Sequence, residues 1–93
     1  MINFSNRVMI PETVLFRELD GESVLLNLTT ESYLGLNEMG THMWTVMTAA
    51  PSIQAAYEEL LTEYDVEPDV LHQDMESLIG QMLEQGLVEL TVA

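Results

Sequence analysis

The sequence predicts an α+β fold in which a three-stranded antiparallel sheet precedes three helices. Three observations carry that prediction. Two strand-like runs are joined by Asp20-Gly21, the spacing of apolar residues changes from alternating to helical at Asn37, and the helical stretches open on a capping residue or a proline. Strands followed by helices in a chain of 93 residues pack as a meander covered on one side. Residues 1–93 are expected to form one domain, long enough to hide roughly 60–65% of the unfolded surface.

Residues 13–19 and 22–28 are the first two strands of the meander. The Asp20-Gly21 pair between them suits the two positive φ angles of a tight hairpin turn. In the second run Val24, Leu26 and Leu28 alternate with Ser23, Leu25 and Asn27, so the side bearing Val24 is wholly apolar and is expected to need cover. A turn at Thr29-Thr30-Glu31 then leads to a third strand over 32–36. The segment before Pro11 can add a short extra strand.

Asn37 reads as the N-cap of the first helix, with Met39, Met43, Val46 and Met47 as its buried stripe and Ala49-Ala50-Pro51 as its end. Ser52 caps a second helix whose stripe is Ile53, Ala56, Tyr57, Leu60, Leu61 and Tyr64. Pro68 suits the first position of a third helix, which runs to Gln85 and carries Leu71, Met75, Leu78, Ile79, Met82 and Leu83 on its apolar face. Gly86 reads as the C-terminal cap. Residues 87–92 can close the chain as a short strand. Two helices across a short break, followed by that strand, resemble a winged helix-turn-helix.

Sixteen acidic residues against Arg7 and Arg17, with no lysine, give a formal net charge of −14. Such a chain is expected to repel nucleic acid and anionic membranes; its acidic surface serves either to keep the domain soluble or to attract a basic peptide or protein. The third helix would be the DNA-reading element, yet it carries Asp69, Asp74, Glu76 and Glu84 and no cation. No cysteine is present, which removes thiolate chemistry and disulfides and fits a reducing compartment. With no apolar run of membrane-spanning length and no signal-peptide pattern at the start, a cytoplasmic location is expected.

No catalytic set can be assembled. The two histidines, His42 and His72, lie on different helices, and no nucleophile elbow, zinc-binding helix motif or phosphate loop occurs. His42 is expected to pair with Glu38 one helical turn away, and His72 to sit at the edge of the core. Asp65, Glu67, Asp69 and Glu76 match a calcium-loop count, but Val70 stands where the loop needs glycine, so no metal is expected. Tyr33, Trp44, Tyr57 and Tyr64 are expected in the core or at its rim. The chain reads as a binding module without cofactor.

The third strand is the feature that asks for a partner. After Glu31 it has neither a charge nor a proline to discourage pairing, and Gly35 allows another backbone to come close. One reading is an extended peptide added along Ser32, Tyr33, Leu34 and Gly35. The alternative is cover by a terminal segment or by a second copy. A peptide would also need pockets, because four or five backbone hydrogen bonds at about 1 kcal/mol each only offset the ordering of the peptide. Val70, Gln73, Asp74, Ser77 and Leu78 on the third helix mix apolar and acidic groups as the opposite wall.

The stretch from Val24 to Trp44, with Tyr33, Gly35, Leu36, Asn37, Gly40 and Trp44 at its centre, resembles the PqqD-like family. Tyr64-Asp65-Val66, Asp74 and the Glu84–Val88 segment extend the likeness over roughly residues 8–90. These domains are precursor-peptide recognition elements of ribosomal peptide natural-product pathways. The resemblance implies a non-catalytic, winged-helix-like domain that holds a precursor's leader against its third strand and third helix. The compact form is most similar to the stand-alone B1 protein of lasso-peptide systems, which implies a separate cysteine-protease-like leader peptidase, or another modifying enzyme, as second partner. A peptide chaperone for the radical enzyme of the PQQ pathway is the nearest rival, and an acidic winged-helix regulatory protein the more distant one.

Overall fold

The computed structural model describes residues 2–93. Eight elements follow one another: β1 (Asn6–Met9), β2 (Val14–Leu19), β3 (Glu22–Asn27), β4 (Tyr33–Leu36), α1 (Glu38–Ala49), α2 (Ile53–Glu63), α3 (Pro68–Glu84) and β5 (Glu89–Val92). Strands β2, β3 and β4 form the expected antiparallel meander in that order. Strands β1 and β5 form a second, two-stranded antiparallel sheet, with Val8 opposite Leu90. The short strand before Pro11 and the one closing the chain therefore both exist, and they pair with each other.

Local chemistry accounts for the boundaries. Asp20 and Gly21 sit at φ 55° and 84°, the two left-handed residues of a tight hairpin turn whose twist matches the strands it joins. Asn37 accepts a hydrogen bond from the Gly40 amide and Ser52 one from the Ala55 amide, which satisfies free donors at the starts of α1 and α2. Pro68 opens α3 where its missing N–H costs nothing. Gly86, at φ 70°, ends it, and the Leu87 amide returns to the Met82 carbonyl.

One continuous core joins the helices to the inner side of the meander. Its fully buried members include Leu25 of β3, Met47 of α1, Ile53 and Leu60 of α2, and Leu71, Met75, Ile79 and Met82 of α3. Trp44 stacks on Phe16 with ring centres 5.8 Å apart, tying α1 to β2. Phe4 anchors the N-terminal segment: its ring stacks on His72 at 4.0 Å, and its carbonyl accepts from the Gln54 amide. That contact keeps His72 at the core margin, as expected, with Nδ1 3.2 Å from the Glu76 carboxylate.

Four expectations are corrected, the last of them that of Tyr33. The covered side of β3 carries Ser23, Leu25 and Asn27, while Val24, Leu26 and Leu28 face the other way. The reason is that both inward polar side chains are satisfied. Ser23 shares a 2.7 Å hydrogen bond with Thr41, and Asn27 donates to the Gly86 carbonyl while accepting from the Thr29 and Thr30 amides. Secondly, His42 pairs with Glu63 instead of Glu38, because the turn at 50–52 folds α2 back so that its end lies beside the start of α1. Thirdly, Met39 leaves the α1 stripe and is 37% exposed. Among the aromatics, Trp44 is buried and Tyr57 and Tyr64 are half-buried, but Tyr33 is 70% exposed. Among the described residues no helix is long and apolar enough to cross a membrane, and no cluster of side chains could hold a metal ion.

Candidate functional site

Strand β4 is an outer strand of the meander, and among the described residues no other strand pairs with its outer edge. Strand β5 is engaged with β1 instead. Among the described residues no terminal segment takes this edge. The register shows what the edge presents. The Asn27 amide donates to the Ser32 carbonyl, which makes Asn27 and Ser32 a hydrogen-bonded pair. Antiparallel ladders alternate, so Leu34 and Leu36 also direct their backbone groups to β3, whereas Tyr33 and Gly35 direct theirs outward. Two N–H donors and two carbonyl acceptors thus line the free edge within four residues.

Side chains alternate across the same strand. Leu34 packs half-buried against the core and Leu36 is buried, while Tyr33 and Gly35 lie on the side away from the helices. Glu31 precedes the strand at φ 63°, a left-handed conformation unusual for glutamate, and so turns the chain into β4. A Cβ at Gly35 would meet no heavy atom within 4 Å. The space around Gly35 therefore does not require glycine, and nothing on this side bars another backbone from coming close.

Beyond β4 the chain enters α1 through Asn37, and Asn37 lines a depression of about 290 Å³ between α1 and α3. Its walls are Met39, Gly40 and Met43 on one side and Asp74, Ser77, Leu78 and Gln81 on the other. Asp74, Ser77 and Leu78 thus share one groove, but its opposite wall is α1 and not the third strand expected there, none of whose residues lines it. Val70 and Gln73 are exposed on α3 but do not line it. Met39 and Gln81 join the groove without having been expected there. Gln81 is legible in the sequence, since it stands four residues after Ser77 and seven after Asp74 on one helical face. Met39 is not, because a methionine at stripe spacing reads as core.

The groove is lined by the apolar Met39, Met43 and Leu78 and carries one carboxylate, that of Asp74. Among the described residues neither arginine forms an ion pair, and the only carboxylates near a basic group are Glu63 and Glu76, each facing a histidine. Asp74 therefore offers its charge to whatever enters.

Known proteins share this fold. The model of the family described as coenzyme PQQ synthesis protein D (PqqD) matches residues 22–88, from the first residue of β3 to the start of the closing segment. A solved structure described as TbiB1 in complex with the TbiA(beta) leader peptide superposes with a TM-score of 0.79 at 25% sequence identity, covering 87% of this chain and 94% of that one. No curated protein matches the sequence. The family match spans well over half of the chain and includes both β4 and the α3 wall of the groove, and on that ground the chain belongs to the PqqD family.

Proposed function

We propose that this chain binds the leader region of a ribosomally made precursor peptide and presents it to a separate processing enzyme. The leader adds as a fourth strand to β4 through the backbone groups of Tyr33 and Gly35, and sends side chains into the groove between α1 and α3. Residues 1–93 act as one recognition domain, without catalysis of their own. The observation that carries the reading is the free β4 edge beside that groove, left open while both chain ends pair with each other. The match to a leader-peptide complex supports it.

Peptide contacts fall on Glu31, Ser32, Tyr33, Leu34 and Gly35 along the strand and on Asp74, Ser77 and Leu78 along the helix, with Val70 and Gln73 extending the helix side. Asp74 in the groove and the net charge of −14 favour a leader with basic residues. The lasso-peptide reading, with a cysteine-protease-like leader peptidase as recipient, is favoured by the resemblance to a stand-alone B1 protein. A recipient radical enzyme in the PQQ pathway is the second reading, suggested by the description of the family model.

Isothermal titration with the synthetic leader of its own precursor, to be sought among short open reading frames beside its gene, tests the proposal. Binding is expected, and Asp74→Lys is expected to weaken it by roughly 3- to 10-fold, since a rim attraction of up to about 1 kcal/mol becomes a repulsion. A leader that binds wild type and this variant alike would remove the groove from the site. A leader that binds neither would remove the function.

A further inference from the structure

An open strand edge is a template for any other chain, and proteins ordinarily guard one with a charge, a proline or a covering segment. Strand β4 carries neither charge nor proline, and among the described residues no other strand pairs with its outer edge. Its two outward-bonding positions are unequal in size. Tyr33 is 70% exposed on the side away from the helices, and Gly35 is bare on that same side, with open space where a Cβ would stand. Ring and hollow do not meet within one strand, because they stand about 7 Å apart along it. They can meet between two copies.

An antiparallel pair of β4 strands about a two-fold axis has few registers, since outward-bonding residues must oppose one another. With Tyr33 against Tyr33, Gly35 falls opposite Glu31, whose left-handed backbone at φ 63° cannot continue the ladder. With Gly35 against Gly35, two bare positions face each other and Tyr33 falls opposite Asn37, the cap of α1. With Tyr33 against Gly35 of the other copy, every outward N–H and carbonyl of both strands is used. That register also lays each Tyr33 ring over a bare glycine, an aromatic cover across the strand pair. Charge agrees with it. Leu34 falls on the axis, so Glu31 comes opposite Asn37 and Glu38 opposite Thr30, and no carboxylate faces another across the seam.

We propose that, without leader, β4 pairs with β4 of a second copy in this register, Tyr33 over Gly35, and that leader and second copy exclude each other. The exclusion rests on the strand-addition reading above, whereas the self-pairing stands on the register alone. The backbone hydrogen bonds by themselves correspond to a dissociation constant of about 1 mM, and the two tyrosine contacts tighten it. A leader with side chains in the groove therefore replaces the second copy, which guards the edge until then. Away from the seam the copies repel, each with net charge −14, so salt favours the pair.

The chain has no cysteine, so introduced thiols report the register. Full-length Tyr33→Cys and Gly35→Cys proteins are mixed in equal amounts and oxidised. Both positions lie clear of the core. Opposed residues of a hydrogen-bonded pair have Cα atoms about 5.5 Å apart, inside the disulfide range, whereas like positions in this register stand about 8 Å apart and outside it. The mixed disulfide is expected to predominate, where random collision gives as much self-linked as mixed product. Sedimentation of the wild-type chain at up to about 1 mM is expected to show dimer that grows as salt rises from about 0.01 M to about 0.15 M. Synthetic leader at about ten times its dissociation constant for the two variants is expected to cut the mixed disulfide about tenfold or more by mass action. A random product ratio, predominance of either self-linked product, or monomer at every salt overturns the inference and leaves the leader-binding reading intact. A leader that binds wild type yet leaves the mixed disulfide unchanged overturns the exclusion and moves the leader off β4. A leader that does not bind wild type overturns the earlier reading instead, and the product ratio still decides the self-pairing.

Discussion

Replacing Gly35 with proline separates the free edge of β4 from the strand itself. The Gly35 amide points away from β3, so proline there deletes an outward donor and leaves the β3–β4 ladder whole. An edge strand accepts proline where the lost N–H faces outward, and the space around the Gly35 Cβ position is empty to 4 Å. The same change at Leu34 would instead remove a bond to Leu25 inside the sheet and report on folding. One lost hydrogen bond contributes about 1 kcal/mol, and the peptide carbonyl left facing the proline ring adds a desolvation cost, for a total of roughly 1–3 kcal/mol. At 1.4 kcal/mol per factor of ten, the leader should bind about 5- to 150-fold more weakly. Isothermal titration measures the affinity, and a thermal melt of the same sample checks the fold. Gly35→Ala keeps the N–H and serves as the control for side-chain bulk. A folded Gly35→Pro protein that binds leader as wild type does would refute the argument that the ladder at Tyr33 and Gly35 is the peptide's seat.

Three further outcomes concern the scaffold. Asn27→Ala should lower stability by about 2–3 kcal/mol, since it strands the Gly86 carbonyl and the amides at the β3–β4 turn, and the melting temperature should fall by roughly 10 °C or more. Glu31→Asn should raise the melting temperature by a few degrees, about 2–6 °C for a gain of roughly 0.5–1 kcal/mol, because asparagine tolerates the left-handed backbone at φ 63° better than glutamate does. Raising ionic strength from about 0.01 M to about 0.15 M shortens the Debye length from about 30 Å to about 8 Å, and in a chain of net charge −14 this should raise the melting temperature as carboxylate repulsion is screened. A flat salt response would show that the acidic groups are too far apart in the fold to oppose it.

Residues whose behaviour depends on near neighbours in the chain are legible in the amino-acid order alone. Asp20-Gly21 has to turn because few other pairs accept two positive φ angles. Asn37, Ser52, Pro68 and Gly86 have to mark helix ends because each supplies a missing hydrogen-bond partner or a permitted backbone conformation. The uncharged, unguarded third strand is equally visible, and with it the strand half of the candidate site. The two faces of the meander are not. Alternation says that one face differs from the other, but it cannot say which one is inside when the polar set finds partners. Ser23 finds Thr41, and Asn27 finds Gly86, which lies 59 residues away. Those distant bonds turn β3 over and put Val24 and Leu26 on the outside.

The sequence by itself determined the elements, their ends and the absence of thiol chemistry, since these follow from local backbone preference and from composition. Tertiary structure alone decided which edges stay open. The pairing of β1 with β5 freed β4, the packing of α1 against α3 made a groove of Met39 and Gln81, and the fold-back of α2 gave His42 to Glu63. Each of these depends on contacts between residues far apart in the chain, and their free energy is set by what else is close by in space.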